Sequence, residues 1–376
     1  MTLAEFWFIA LTVVWVGFLL LEGCDFGVGM LHGVVGRDEA GREEAIGTIA
    51  PVWDGNEVWL VLAVGGTFAA FPAWYATMFS GFYPLVLLAL VALILRGVSF
   101  EFRAHAGSAR SRRLWSAALT AGSAVTPLVI GTVLAGLLHG VPVDAAQEFV
   151  GGLGDLVAPY AVYTGVTITV VCLLHGAVFL ALRAGGEVRD RAGRAARLLG
   201  PLAAVAVAVF AVWTRLGDGH GVLLSLVELV AVVAAIAAVV LAKTGRWGAA
   251  FTATAVTMAT VVVTIFAALA PRVVVSTLGP AQDLTIANTA ASPYALTLMT
   301  IVLAVLLPVV LLYQGWTYVV FRRRLRGEGR PGAPTAGPLP RHDPEPPTVS
   351  GWLVGWVAAV VLHLLRPANR RDARRG

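Results

Sequence analysis

Apolar residues occur in nine long runs along this 376-residue chain, each separated from the next by a more polar segment. A helix needs about 20 apolar residues to cross a bilayer, with a lower limit of about 17. Every run reaches that limit, so the pattern predicts nine membrane-spanning helices. They cover residues 6–22, 52–72, 78–98, 115–138, 157–182, 199–216, 221–242, 249–270 and 293–320.

The composition supports a membrane protein and excludes a soluble one. Hydrophobic residues make up 58% of the chain and charged residues only 13%, too few to cover the surface of a soluble protein of this size. Most connections are short, so neighbouring helices should be antiparallel. The predicted fold class is an all-α polytopic membrane protein with about nine helices, arranged as two four-helix bundles plus one peripheral helix. The first run lacks the features of a cleaved signal peptide, so we expect a retained helix.

Basic residues are concentrated in alternate connections, which accounts for the net charge of +5 without nucleic-acid binding. Because cytoplasmic loops carry an excess of Lys and Arg, this alternation predicts the N-terminus outside and the C-terminus in the cytoplasm. The basic positions are Arg103, Arg110, Arg112 and Arg113; Arg183, Arg189, Arg191, Arg194 and Arg197; Lys243 and Arg246; and, in the tail, Arg322, Arg323 and Arg324.

The composition changes near residue 325, which divides the chain into three predicted regions. Residues 1–325 form the transmembrane domain. Residues 326–350 are rich in Pro and Gly and are expected to be a disordered cytoplasmic linker. Residues 351–376 form a short apolar stub with a basic end. The apolar part is too short for a typical span and suits a helix lying in the membrane interface.

A polar cluster is predicted at the cytoplasmic ends of the first three helices. Asp25 follows the first helix, Asp54 and Glu57 begin the second in the motif WDGNEVW, and Arg96 and Glu101 close the third. Ionisable groups at the edge of hydrocarbon are costly and usually serve proton or ion movement. The convergence of these three helix ends on one side of the membrane therefore indicates a site for proton or ion movement.

Asp54 also has a structural interpretation. Pro51 suits the first turn of a helix, and an acid there is stabilised by the helix dipole. Glu57, however, lies three residues further on the same face, and two acids are not both needed for one cap. Arg96 could neutralise either carboxylate in a buried pair. A functional role is therefore favoured over capping.

The histidines and cysteines provide little for a metal site. Only His175 lies inside an apolar run where a haem ligand would have to be, and no second histidine accompanies it. We expect it to hydrogen-bond to a neighbouring helix and to bind no iron. The two cysteines form no C-x-x-C pair, so no metal ligand is predicted in this chain.

Six motifs together resemble subunit II of the cytochrome bd-type quinol oxidases, the family that includes the cyanide-insensitive oxidases. Their order and spacing fit that family over roughly residues 1–325, and the first hundred residues are the most specific. The Pro-rich tail is outside the family pattern, and Cys24 replaces a more usual aromatic residue. The motifs are EGCDFGVGM (22–30), IAPVWDGNEVWL (49–60), FAAFP (68–72), FSGFY (79–83), LRGVSFEFR (95–103) and LLYQGW (311–316).

The resemblance implies a haem-free subunit of a heterodimeric, electrogenic terminal oxidase that oxidises quinol and reduces dioxygen to water. Haems b and d would belong to the larger partner, subunit I, and this chain would be inactive alone. The resemblance allows a structural quinone, bound lipid and a small single-span accessory subunit.

The resemblance also implies that Asp54 belongs to a cytoplasmic proton-entry route toward the oxygen-reducing haem, and that Trp59 lies near a dioxygen path. The polar cluster read from the residues adds seven further positions to this predicted site. The predicted proton pathway is Asp54, Glu57, Asp25 and Glu101; the supporting polar residues are Arg96, Arg103 and Asn56; and the tryptophans on the dioxygen path or in packing are Trp53 and Trp59.

Two other functions remain open from the residues alone. A secondary transporter or ion channel could bind a coupling ion at Asp54 and Glu57, but that class predicts broken helices meeting at the bilayer midplane. A purely structural scaffold subunit would use the acids only for helix capping. Replacement of Asp54 distinguishes the scaffold hypothesis from the proton-pathway hypothesis. Only the proton-pathway hypothesis predicts that the complex still assembles but turns over more slowly.

Overall fold

The computed structural model describes residues 1–217 and 221–320, and the structural statements below concern those residues. The predicted linker 326–350 and the stub 351–376 lie outside them. The α-helices are α1 (Leu3–Val35), α2 (Glu39–Gly47), α3 (Trp53–Ala70), α4 (Pro72–Gly81), α5 (Tyr83–Ala104), α6 (Ala109–His139), α7 (Leu153–Leu156), α8 (Pro159–Arg183), α9 (Gly186–Gly217), α10 (Val222–Lys243), α11 (Trp247–Leu269), α12 (Ile286–Thr289) and α13 (Pro293–Val320). Two short strands, β1 (Arg272–Val274) and β2 (Leu284–Thr285), flank a 3-10 turn, Pro280–Gln282.

Eight of the described helices are long and apolar enough to cross a membrane: α1, α5, α6, α8, α9, α10, α11 and α13. They correspond to eight of the nine predicted runs, and the prediction of a polytopic all-helical fold is confirmed. The remaining run coincides with α3, whose 18 residues extend about 27 Å. Its first turn carries the polar motif, which lowers its mean hydropathy.

The predicted boundary of the third run is displaced in the structure. The run 78–98 begins inside α4, a separate ten-residue helix that starts at Pro72. The chain turns at Phe82, and α5 begins at Tyr83 with Pro84 in its first turn. Proline is favoured there because the first helical N–H groups have no partner within the helix. Two proline-initiated helices therefore replace one continuous apolar segment.

The helices form two groups of four. In the first bundle, α1 packs against α3 and α6, and α5 packs along α6. In the second bundle, α8, α9, α10 and α11 each pack against the next, and α11 returns to α8. Helix α13 touches α1 and α3 at the margin, and the other described helices leave its spanning part almost entirely uncovered. This is the predicted arrangement of two bundles and a peripheral helix.

Glycines allow α1 and α8 to join the two bundles with their backbones in contact. A Cβ atom at Gly27 would lie 2.1 Å from the carbonyl oxygen of Cys172, and one at Gly176 would lie 2.5 Å from the backbone of Gly27. Small residues permit such close helix approach in membranes. The second half of α1 is consequently enclosed, and residues 22–32 are all buried.

The opposite end of the bundles is closed by the segments 140–158 and 271–292. Strand β1 pairs antiparallel with β2, and Val141 forms a bridge with Ser276. The hydroxyl of Ser276 donates a hydrogen bond of 2.6 Å to the carbonyl of Val143. These links tie the two long connections together, away from the polar cluster.

Candidate functional site: a buried charged cluster in the first bundle

The site is centred on Arg96, which α5 places inside the first bundle. Its side chain is 0% exposed, and one guanidinium nitrogen lies 2.9 Å from a carboxylate oxygen of Glu22, also 0% exposed. The other terminal nitrogen lies 4.0 Å from a carboxylate oxygen of Glu57, which is 26% exposed. The guanidinium therefore connects an acid of α1 to an acid of α3.

Aromatic rings and a glycine hold Arg96 in this position. Its guanidinium lies 4.8 Å from the ring centre of Phe26 and 5.7 Å from that of Phe100, which permits cation–π attraction. A Cβ atom at Gly122 of α6 would lie 2.9 Å from the Arg96 Cβ. Since a buried charge is tolerated only with compensating partners, these contacts explain why α5 can carry an arginine at this depth.

Asp25 lies beside this pair and is fully buried. One of its carboxylate oxygens accepts a hydrogen bond of 2.9 Å from the side-chain amide of Asn56 on α3. Asp25 and Glu22 are three residues apart on α1 and share a helix face. The cluster thus contains the three carboxylates of Glu22, Asp25 and Glu57 around one guanidinium, an acidic surplus in the membrane-spanning part of the chain.

Asp54 occupies a different environment from the other acids. It lies in the first turn of α3, whose N-cap is Val52, and no side chain caps this helix. Its side chain is exposed, and no hydrogen bond or ion pair links it to another residue in the part of the chain that the structure describes. It begins an outward face of α3 that continues through Val58, Val61 and Phe68. Asp54 therefore does not cap α3 through a side-chain hydrogen bond to the backbone of its first turn.

The two tryptophans of the motif fix α3 against its neighbours. The ring of Trp53 stacks on Phe100 of α5, with ring centres 4.7 Å apart. Trp59 lies against Gly17 of α1, where an added Cβ would come 2.4 Å from the indole ring. Both rings are half-buried. Their observed contacts are packing contacts that keep Glu57 and Asn56 facing α1 and α5.

Glu101 and Arg103 lie nearer the end of α5 and outside the cluster. The side chain of Glu101 is 78% exposed and lies 3.4 Å from a ring nitrogen of His105. Arg103 forms an ion pair with Glu39 of α2 and donates a hydrogen bond of 2.9 Å to the hydroxyl of Ser116. The partner of Arg103 is therefore Glu39 of α2, whereas Glu101 lies beside His105.

Glu22 was not among the predicted site residues. The sequence places it at the end of the first apolar run, where a charged residue usually marks the membrane boundary. In the structure α1 continues to Val35, so Glu22 lies within the helix. The available signal was its spacing of three residues from Asp25, which puts both acids on one face if the helix does not stop.

His175 lies in the second bundle and bonds to a neighbouring helix, as predicted. Its ring nitrogen Nδ1 is 2.7 Å from the hydroxyl of Thr254 on α11, and the ring stacks on Phe251 at 4.6 Å. Across residues 1–217 and 221–320, no three His, Cys, Asp or Glu side chains are grouped so that they could hold a metal ion.

The fold and the cluster define a multi-pass helical membrane protein with buried ion-paired acids at the junction of three helices. Comparison with known families makes the assignment more specific. The family model described as cytochrome bd terminal oxidase subunit II matches residues 3–321, and the chain belongs to this family.

Individual relatives agree with the family match. The chain is 40% identical over 332 residues to cytochrome bd ubiquinol oxidase subunit 2 of Bacillus subtilis, covering 86% of this chain and 97% of the relative. It is 32% identical over 349 residues to cytochrome bd-I ubiquinol oxidase subunit 2 of Escherichia coli K12, covering 83% and 92% respectively. The solved bd oxidase of Geobacillus thermodenitrificans contains a chain of similar fold, with a TM-score of 0.63, 21% identity, and coverage of 86% of this chain and 100% of that chain.

Proposed function

We propose that this chain is the haem-free subunit of a terminal oxidase in a bacterial cytoplasmic membrane, a complex that oxidises quinol and reduces dioxygen to water. Relatives named as subunit 2 of cytochrome bd ubiquinol oxidases match it over nearly their whole length. In this proposal haems b and d belong to the partner, subunit I. This chain supports that subunit and supplies part of the proton and dioxygen routes.

The buried cluster around Arg96 carries the proposal of a proton route. Exposure falls stepwise from Asp54, which is exposed, through Glu57 at 26%, to Asp25 and Glu22 at 0%. Carboxylates at increasing depth can pass a proton inward, and the acidic surplus around one guanidinium leaves groups available to accept it. Glu101, near the end of α5, would be an outer member of the route.

The depth of the cluster in the membrane is consistent with proton uptake from the cytoplasmic side. Glu22 lies about 28 Å along α1 from Leu3, at a rise of 1.5 Å per residue. With the N-terminus outside, as the arginine distribution favours, the cluster is close to the cytoplasm. A charge moved across the membrane works against about 2.3 kcal/mol per 100 mV. Taking protons from the inside for oxygen reduction would make the reaction electrogenic without a pump.

We place subunit I against the outward face of α3. A carboxylate at the head of an apolar face is costly if it meets lipid, and Asp54 heads the face formed by Val58, Val61 and Phe68. A protein partner would shield this acid and could continue the proton route. Trp53 and Trp59 flank the same part of α3 and could line a dioxygen path between the subunits.

The continuity of the helices disfavours a transporter. Transporter sites of the usual kind are formed by discontinuous helices at the midplane, whereas α1 and α5 run unbroken past Glu22, Asp25 and Arg96. A scaffold with no proton role is the remaining alternative, and it is addressed by the Asp54 substitutions below.

Purification through a tag on this chain tests the assignment. A haem-bearing second subunit should copurify, the reduced-minus-oxidised spectrum should show haem bands, and the complex should consume oxygen with quinol. The same chain expressed without the partner should show neither haem bands nor activity. Quinol oxidation by this chain alone would refute the proposed division of roles.

A further inference from the structure

A basic patch lies where α9, α10 and α11 meet at one end of the second bundle. Its cations are Arg194 and Arg197 on α9, Lys243 at the end of α10, and Arg246 just before α11, and Trp247 adjoins them. The side chains of all four cations are exposed, and Trp247 is half-buried. The patch is on the second bundle, away from the α3 face proposed for subunit I.

The patch is structured around Arg197. Its Nε donates a hydrogen bond of 3.3 Å to the carbonyl of Ala242, one residue before Lys243. Its guanidinium lies 5.6 Å from the ring centre of Trp247, and that ring covers Gly193, where an added Cβ would be 2.9 Å away. A cation of α9 is thus fixed beside the turn that carries Lys243 and Arg246.

No carboxylate neutralises the patch within the described residues. None of its four cations lies within ion-pair distance of Asp or Glu; Asp190, one turn before Arg194, makes no such contact with it. By contrast, Arg191 on the same helix is paired with Glu187. Among the described residues, the patch therefore leaves four positive charges without a carboxylate partner.

Apolar side chains continue directly from the patch into the membrane-spanning part of α9 and α10. Leu202 and Val205 on α9, and Ile236 and Val240 on α10, are all at least half exposed within this chain. The two helices pack closely, with Gly200 facing Val239. The result is a continuous apolar stripe below a cationic end, at the level where a span meets the interface.

We propose that the basic patch binds the headgroup phosphate of an anionic glycerophospholipid, with its acyl chains along this apolar stripe. Each Lys or Arg near the membrane surface strengthens the attraction to anionic lipid, and Trp favours the interface. Inorganic phosphate shares the headgroup chemistry but lacks the chains that would contact Leu202 and Val240. The positive charge of the patch and the adjoining apolar stripe together favour an anionic lipid over inorganic phosphate.

The test uses the purified complex that contains this chain, delipidated and then titrated with phosphatidylglycerol, phosphatidylcholine or inorganic phosphate under native mass spectrometry. The patch variant is R197Q/K243Q/R246Q. The control, R110Q/R112Q/R113Q, removes the same charge from another arginine-rich connection, and it includes Arg112, which also donates to a backbone carbonyl. We expect the patch variant to bind phosphatidylglycerol at least about tenfold more weakly, and the control to bind it like the parent.

Phosphatidylcholine should bind weakly to all three proteins, and millimolar inorganic phosphate should not displace the anionic lipid. Equal retention of phosphatidylglycerol by the patch variant and the parent would overturn the proposal, as would equal losses in patch and control variants. Efficient displacement by inorganic phosphate would also overturn it. If the triple variant fails to assemble, the single change R246Q at an exposed position gives the same comparison, with a smaller loss expected.

Discussion

The carboxylate of Glu22 lies 2.9 Å from the guanidinium of Arg96, and both side chains are completely excluded from solvent. The two residues belong to α1 and α5 and meet inside the first bundle. Removing one partner of a buried pair leaves an uncompensated charge, which costs far more than the pair contributes when intact. This pair therefore makes the proposed proton site dependent on correct packing of the two helices.

Loss of the Arg96 charge should destabilise the bundle strongly. We expect Arg96→Gln to cost about 3–5 kcal/mol, because Glu22 would remain buried without a cation. Combining Arg96→Gln with Glu22→Gln should restore part of that loss, measured as the yield and thermal stability of the assembled complex. Arg103→Gln is the matched control on α5, since its partner Glu39 is 38% exposed. Equal effects of the two arginine substitutions would contradict the buried pair.

Asp54→Asn should leave assembly and haem content intact but strongly slow quinol-dependent oxygen consumption. Asparagine keeps the shape of the side chain and is tolerated near a helix start, but it cannot carry the proton. Asp54→Glu should retain more activity because the acid is preserved. Near-normal oxygen turnover of a fully assembled Asp54→Asn complex would contradict a proton-relay role for Asp54 and favour the scaffold alternative.

Oxygen turnover should be less sensitive to replacement of Glu57 or Glu101 than to replacement of Asp54. Glu101→Gln should have the smallest effect on oxygen turnover, because this side chain is 78% exposed and water can replace it. Glu57→Gln should lower turnover to an intermediate extent, since Glu57 borders Arg96 but a neighbouring acid remains. Oxygen consumption per haem compares the two variants directly. A larger loss at Glu101 than at Asp54 would reverse the proposed order of the route.

His175→Ala should leave the number of haems per complex unchanged. The substitution removes the hydrogen bond to Thr254 and should cost about 1–3 kcal/mol, because the buried hydroxyl keeps only its bond to the carbonyl of Phe251 and loses the one to the ring. Thr254→Val removes the same bond while keeping the histidine, and it serves as the control. Pyridine haemochrome analysis of the assembled complexes measures the outcome. Loss of one haem in His175→Ala alone would contradict a haem-free subunit.

The orientation of the chain can be tested at two connections. Reporter fusions in 183–197 should report the cytoplasm, because this connection carries five arginines. Fusions in 140–156 should report the outside. Reporters on the same side at both positions would exclude the proposed topology and, with it, proton uptake from the cytoplasm through this cluster.

The sequence alone determined the all-helical membrane class, the approximate positions of eight of the nine predicted spans, and the family. Each membrane helix satisfies its own backbone hydrogen bonds, so a span is a local property that length and hydropathy reveal. The motifs placed Asp25, Asn56, Glu57 and Arg96 near one another because alternating helix direction brings their ends to the same side.

Only the tertiary structure decided the partners within that region. Arg96 pairs with Glu22, Arg103 pairs with Glu39, and Asp54 faces outward, not into the cluster. Each of these facts depends on the rotation and depth of one helix relative to another. Close packing of Gly29 on α1 against Ser123 of α6, and of Gly122 on α6 against Ala92 of α5, helps to set these parameters for α1 and α5. Such contacts join residues far apart in sequence, which hydropathy along a single helix does not encode.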